Sequence, residues 1–596
     1  MIRNILLTLF SLTIFSCADN KEYQNLEHEL HVAVSKKIDT LNTDLSKLEK
    51  SKNQKELILN FNQTRKEYKK LEPFVEYYFQ GLSRRINGPA LPEIKTDDNV
   101  VNDASGFQVI EEVIYNDKID RTELKKQIQI LKTDLKFIQQ NFKDLPIQNH
   151  HFYELYQHQI IRIATLGITG FDSPVAFNSI HEAKYAVEGI KDYYKVYRKI
   201  NNQKVNPDLI KLINSTVNYL NKNNDFNNFN RLIFIKNYLM PLSIAFEKEF
   251  KTVIEKTPNF IDNKVFYGQL ADLMQGKKLN PDAFSSFADA KSTPEKTELG
   301  KILFNDVKLS RNNNVSCATC HNANKAFTDG KKIALNNIHK NSINRNSPTL
   351  LYSSFQKSFF YDMRSQDLEN QIESVIKNPE EFNLSPKEIK DKILKNKKLF
   401  QMFSKAFPDK KEITPYEIRN AIASYVRSLM PFNAKIDRYF AGKTSLTASE
   451  TNGFNLFAGK AKCATCHFIP LYNGTVPPWY NNSESEVIGV PKSNVWKNAV
   501  VDGDVGRYNL NKLEPLKYSF KTPTVRNSEK TAPYMHNGVY NTLEEVIKFY
   551  ELGGGNGIGM NLEYQTLPFD NLKLTEKEKG DLISFIKTLT DKSEIK

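Results

Sequence analysis

Apolar residues recur at roughly every third or fourth position along much of the chain, and this helical period, not a strand-like alternation, organises it. Leu41 to Leu59, Lys125 to Phe142 and Asp208 to Leu220 each carry one apolar stripe with polar residues opposite, which predicts amphipathic helices. Residues 20–279 contain no cysteine and little glycine, so these runs predict a helical bundle. Two more helices are predicted by a shared pattern further on, Ile422-Ala423-Ser424-Tyr425-Val426-Arg427-Ser428-Leu429 and Leu582-Ile583-Ser584-Phe585-Ile586-Lys587-Thr588-Leu589. Lys277 to Lys296, rich in Pro, Ser and Asp, reads as a linker. Ile5 to Phe15, after Arg3, is mostly apolar. It falls short of the roughly 20 residues that span a bilayer and suits the core of a signal peptide.

Composition narrows the function classes. With 596 residues and 40% hydrophobic content, the chain can build packed cores in several domains. The formal charge of +14 is spread among acidic and amide residues, without a compact Lys/Arg run, zinc-finger spacing or glycine-rich phosphate loop. The excess charge reads as a solvated surface, and nucleic acid is not an expected partner.

The five cysteines carry the chemistry: Cys17, and the pairs Cys317/Cys320 and Cys463/Cys466. Each pair lies in the same pentapeptide, Cys317-Ala318-Thr319-Cys320-His321 and Cys463-Ala464-Thr465-Cys466-His467. In such a string two thiols add across the vinyl groups of a haem, and the adjacent imidazole becomes the proximal iron ligand. A dithiol redox pair would not need the histidine twice, and zinc held by cysteine and histidine is the competing reading. Gly300-Lys301-Ile302-Leu303-Phe304 precedes the first site and Gly453-Phe454-Asn455-Leu456-Phe457 the second. An opening helix, a haem-binding turn and a closing helix are the parts of a cytochrome c domain. The expected fold is therefore all-α: the helical bundle over 20–279, followed by two tandem cytochrome c domains over 280–440 and 441–596.

Three resemblances add to this reading. Ile14-Phe15-Ser16-Cys17 resembles the lipobox of bacterial lipoproteins, in which the cysteine becomes the lipidated first residue after a signal peptide spanning 1–17. An ordinary cleaved signal is the alternative, and both imply export. Lys69 to Glu76 and Gly106 to Glu112 are similar to imelysin-like periplasmic domains, whose Gly-x-His-x-x-Glu motif is linked to iron uptake. Gln108 stands where that motif has histidine, which favours a structural or docking module over a metal site. Residues 280–596 resemble the bacterial di-haem cytochrome c peroxidases, including the relative that matures methylamine dehydrogenase. The carrying strings are Leu299 to Phe304, Arg345-Asn346-Ser347-Pro348-Thr349-Leu350, Thr522-Pro523-Thr524-Val525-Arg526-Asn527, Ala532-Pro533-Tyr534-Met535-His536-Asn537-Gly538 and Thr542-Leu543-Glu544-Glu545.

The last resemblance implies roles for individual residues. Peroxide would react at the haem held by Cys317, Cys320 and His321, with Glu381 as acid/base, Gln371 as its polar neighbour and Glu380 as the alternative. Between the haems the family usually has tryptophan in Phe-Trp-Asp-Gly-Arg. Here Phe360-Tyr361-Asp362-Met363-Arg364 places Tyr361 there, and tyrosine oxidation is tied to proton loss. Asn346, with the carbonyls of Thr531 and Pro533, matches the family's calcium site. His339 is either a loop ligand capping the first haem or a surface residue. His536 is expected beside the second haem, on Cys463, Cys466 and His467, without binding its iron. The sixth ligand there is Tyr550 or, alternatively, Met535.

The expected activity is reduction of hydrogen peroxide with electrons from a small redox protein, a monohaem cytochrome c or a cupredoxin. The protein would be an exported, membrane-anchored periplasmic lipoprotein, and the family's common dimer makes a homodimer the expected assembly. Two alternatives stay open: an oxidase that modifies a protein or metabolite through high-valent iron, and a non-catalytic electron-transfer cytochrome.

Overall fold

The computed structural model describes residues 28–96, 99–257, 264–334, 345–568 and 570–592. Cys17 with the leader-like run, and His339, lie outside the described residues. The chain divides into two compact units. One comprises Met1–Glu93, Asn102–Pro258 and Gly268–Ala271, the other Ile94–Val101, Asn259–Tyr267 and Asp272–Lys596.

The first unit is helical. The run Leu41 to Leu59 is not one helix but the end of a helix over 28–49 and the start of another, Gln54–Tyr78. The break has a local cause. The Asn53 side chain accepts the Glu56 N–H at 2.9 Å, and the Glu56 carboxylate accepts the Lys52 N–H at 2.8 Å. This reciprocal cap satisfies donors that a new helix leaves open, and it outweighs the continuous apolar stripe. Helices Arg121–Asn141 and Pro207–Lys222 occupy the other two predicted runs. Gly189 lets helix Ser179–Ile200 approach Gln54–Tyr78, since a Cβ there would lie 2.7 Å from the Lys70 carbonyl oxygen.

This unit buries charge as well as hydrocarbon. Lys69 Nζ donates at 2.6 Å to both Glu72 and Asp172, and Arg162 makes two 2.8 Å bonds to Asp172. Arg65 pairs with Glu182, and Arg162 also reaches Glu76 at 3.1 Å. Gln108 is buried and donates to the Phe171 carbonyl at 2.8 Å.

The second unit repeats one arrangement. Helix Pro294–Asn305 precedes the first cysteine pair and helix Pro415–Arg427 closes that segment. Ala448–Phe457 and Glu576–Lys587 do the same around the second pair. In each case an opening-helix glycine touches the closing helix. A methyl group on Gly300 would overlap the Ala421 carbonyl oxygen, and one on Gly453 the Asp581 carbonyl oxygen. Four residues later, on the same face, Phe304 meets Tyr425 edge-on at 5.1 Å and Phe457 meets Phe585 at 5.3 Å.

Two expectations shift. The opening helix starts at Pro294, inside the expected linker, because Thr293 caps it and buried Lys296 donates to the carbonyls of Asp289 (2.7 Å) and Lys291 (2.8 Å). The protein is mostly helical but not all-α, since Ser485–Val487 pairs antiparallel with Ser519–Lys521. Among the described residues no helix is long and apolar enough to cross a membrane.

Candidate active site

Both Cys-x-x-Cys-His strings form tight helical turns. Cys317–Cys320 is one α-turn, entered through Ser316, whose N–H donates to the Thr319 hydroxyl at 3.0 Å. Cys463–Thr465 is a single 3₁₀ turn entered through Lys462 in the left-handed region (φ 58°). All four cysteines are free of disulfides. Burial pushes the Cys317, Cys320 and Cys463 thiols up to about 12, 11 and 12, and Cys466 well above its usual range. A dithiol reactive through its thiolate needs the opposite shift.

The two histidines are held alike. His321 Nδ1 lies 3.0 Å from the Phe327 carbonyl oxygen, and His467 Nδ1 lies 3.0 Å from that of Pro523. A carbonyl only accepts, so Nδ1 carries the proton in both rings and Nε2 keeps a free lone pair. Burial lowers His321 and pushes His467 down to about 4, so both are neutral at pH 7. Two thiols and an oriented neutral imidazole at each turn fit the donor set of a c-type haem. No cluster of three or more His, Cys, Asp or Glu suited to a metal ion occurs among the described residues.

Around the first turn, burial raises the Glu381 carboxyl, while the Asn378 bond and the Arg364 charge act the other way. Its Oε2 accepts from Asn378 Nδ2 at 2.7 Å, so the neighbour it meets there is Asn378, with Gln371 on the preceding helix Leu368–Lys377. Its charge adds to the rise of both Cys317 and Cys320, which puts the carboxylate close to that pair. Glu380 is exposed.

Tyr361, Asn346 and His536 come together although they are far apart in sequence. The Tyr361 hydroxyl reaches Asn346 Oδ1 at 3.5 Å, and the Asn346 N–H donates to the His536 carbonyl at 2.7 Å. Thr531 and Pro533 precede His536 in the same loop, with a cis peptide at Ala532–Pro533. The His536 ring stacks on Phe520 at 3.9 Å and its Nε2 meets Asp502 at 3.2 Å. That bond, ahead of other causes, holds Asp502 well below the usual carboxylate range. Arg345 joins these loops, donating to Asp504 at 2.6 Å and Asp362 at 2.7 Å. Sequence reasoning missed Asp502 and Asp504, because nothing in their spacing ties them to His536 or to Arg345, 159 residues away from Asp504. It also missed Lys521, whose ammonium burial pushes down to about 7.

At the second turn Tyr550, on helix Leu543–Glu551, is raised far above the phenol range. Burial is the main cause, and the Cys466 and Cys463 thiols and Glu486 add to it, so its hydroxyl lies near that cysteine pair. Met535, like Tyr550, packs against an apolar cluster of Val490, Val539, Tyr540, Phe549 and Ile558, and has φ 73°.

The comparisons with known proteins agree with this geometry. A family model described as di-haem cytochrome c peroxidase matches residues 294–445. The methylamine utilization protein MauG of Methylorubrum extorquens is 32% identical over 299 residues, covering 50% of this chain and 78% of its own. The chain belongs to the di-haem cytochrome c peroxidase family. Other relatives include the cytochrome-c peroxidase IdrP2 of Denitromonas iodatirespirans, 31% identical over 49% of this chain and 81% of its own. The cytochrome c551 peroxidase of Nitrosomonas europaea is 32% identical over 50% and 81%. Membership implies an oxidoreductase with two c-type haems, and the two tethered-histidine turns are where those haems fit.

Proposed function

We propose that the protein is a di-haem peroxidase that reduces hydrogen peroxide to water with electrons from a small redox protein. One observation carries the reading: a half-buried carboxyl, Glu381, which burial raises above the usual carboxylate range, stands beside the first of two haem-attachment turns. Cys317, Cys320 and His321 would hold one haem, and Cys463, Cys466 and His467 the other, in two tandem cytochrome c domains. When bound, the haems supply the redox chemistry of peroxide reduction. Glu381 would move a proton between the two peroxide oxygens, and the upward shift that burial gives it suits a group that both takes up and releases a proton. Tyr361, whose hydroxyl donates to Asn346, would relay electrons between the two haems. Asn346 Oδ1 with the Thr531 and Pro533 carbonyls would offer hard oxygen donors to a calcium ion.

The donor would be a monohaem cytochrome c or a cupredoxin, and the setting periplasmic, with Cys17 lipidated. A homodimer is the assembly we expect. The first unit, whose carboxylates already hold Lys69, Arg162 and Arg65, would serve as a structural or docking module.

A second reading, a di-haem oxidase acting on a protein or metabolite, is favoured by Tyr550 near the second cysteine pair. A phenolate is a hard ligand that favours oxidised iron, unlike a thioether.

The deciding experiment is steady-state peroxide consumption with a reduced cytochrome donor, on protein shown by pyridine haemochrome to carry two c-type haems. Turnover supports the peroxidase. Zinc in place of haem after expression with full maturation machinery would end the haem assignment.

A further inference from the structure

A row of aromatic rings runs from the surface of the second unit to Tyr550. Trp496 stacks on Tyr540 with ring centres 5.3 Å apart and planes 8° from parallel. Tyr540 meets Phe549 at 5.6 Å, and Phe549 meets Tyr550 at 5.6 Å. Tyr540 and Phe549 are buried at 0% exposure, whereas Trp496 is half-buried in a loop that otherwise faces water. The surroundings of Trp496 are apolar and mostly basic, with one carboxylate, Glu545, which accepts from Asn494 at 2.6 Å. Val495 and Val500 are 40% and 67% exposed, Lys492 and Lys497 are exposed, and Lys548 Nζ lies 4.4 Å over the indole ring. No acidic residue occurs between Ile488 and Val501.

We propose that Trp496 is the surface terminus of an electron path to the second haem turn, and that its loop docks an acidic redox protein. The proposal rests on the peroxidase reading and names its point of electron uptake. An exposed apolar centre rimmed by lysines matches a partner with an apolar patch rimmed by carboxylates, and such charge pairing speeds encounter. Lys492, Lys497 and Lys548 outnumber the one carboxylate there, Glu545, and the excess of positive charge commits the site to an anionic partner.

The rings have different parts in the path. Tyr540 is buried with no hydrogen-bond partner for its hydroxyl, so it has nowhere to send the proton that tyrosine oxidation releases. Phe549 is harder still to oxidise. Both therefore act as closely spaced π bridges. The Trp496 indole can lose an electron without losing a proton, so an electron vacancy comes to rest there. Lys548 over the ring opposes that loss, and a partner carboxylate added to the nearby Glu545 charge would weaken that opposition, which couples the transfer to docking. The balance is simple. One peroxide takes two electrons and two protons to give two waters; each electron passes from the partner to Trp496 and inward, and the partner is oxidised twice by one electron.

The test uses the full-length protein with both haems. Peroxide is added without any donor, haem absorbance is followed, and oxidised residues are mapped by peptide mass spectrometry. Oxygenated products should accumulate at Trp496 at least about ten times faster than at Trp479, the other tryptophan. They should be lost in Tyr540→Leu and kept in Tyr540→Phe, since the bridge needs the ring and not the hydroxyl. The exposed Lys548→Glu should slow reduction by a reduced acidic cupredoxin about tenfold at low salt and flatten the salt dependence. A full absorbance response with unmodified Trp496, or loss of its oxidation in Tyr540→Phe, overturns the proposal alone. No absorbance response to peroxide overturns the peroxidase reading, and this proposal with it.

Discussion

Replacing Glu381 with glutamine keeps the side chain's size and an oxygen for Asn378 to bond, but removes the group that titrates. Turnover with peroxide should fall about 10²–10⁴-fold while both haem spectra persist, the loss expected for a general acid–base residue. Unchanged turnover would move the role elsewhere, and Glu380, exposed to water, is the less suited neighbour. The choice between Tyr550 and Met535 is read by near-infrared spectroscopy of the ferric protein. With Tyr550 as ligand, the wild type lacks a methionine-to-iron band, and Tyr550→Phe changes the haem spectrum while Met535→Leu does not. At this scale the two Cys-x-x-Cys-His strings were legible because a haem demands two thiols and an imidazole at fixed spacing. The His536–Asp502 and Arg345–Asp504 pairs were not, because only the fold brings them together.

At the scale of elements, the glycines of the two opening helices act against their ordinary cost. Glycine in a helix is about 1 kcal/mol worse than alanine, so Gly→Ala usually stabilises. At Gly300 and Gly453 the added methyl meets a backbone carbonyl that cannot swing aside. Each alanine variant should lose about 1–3 kcal/mol, the range for overpacking, measured as a lower denaturation midpoint at the haem absorbance band. The sequence showed both glycines and both closing helices, since a repeated pattern survives without knowing the fold. The helix break at Asn53 was hidden inside an apolar stripe, because period reports which face is buried and not where a cap interrupts the chain.

For the molecule as a whole, the first unit has its own response to pH. Burial chiefly, and Glu182 in addition, push Glu111 up to about 7 from an ordinary 4.5, against the Ser173 and Val175 hydrogen bonds and the Arg65 charge. Folding favours its protonated form, so its contribution is fully present below pH 4.5 and is lost as pH rises to about 7. The change amounts to about 3 kcal/mol at roughly 1.4 kcal/mol per pKa unit. Glu111→Gln should flatten the fall in urea midpoint across that window, followed by far-ultraviolet circular dichroism because both tryptophans lie in the other unit. The carbonyl tethers of His321 and His467 bear on the other half of the chain. A neutral acceptor draws far less proton density from an imidazole than a carboxylate does. With haems bound, neither His321 nor His467 would gain much imidazolate character, so the electronic push that each could supply would be weak. On the peroxidase reading, breaking the peroxide bond would then depend more on proton supply from the opposite side, where Glu381 is the proposed donor.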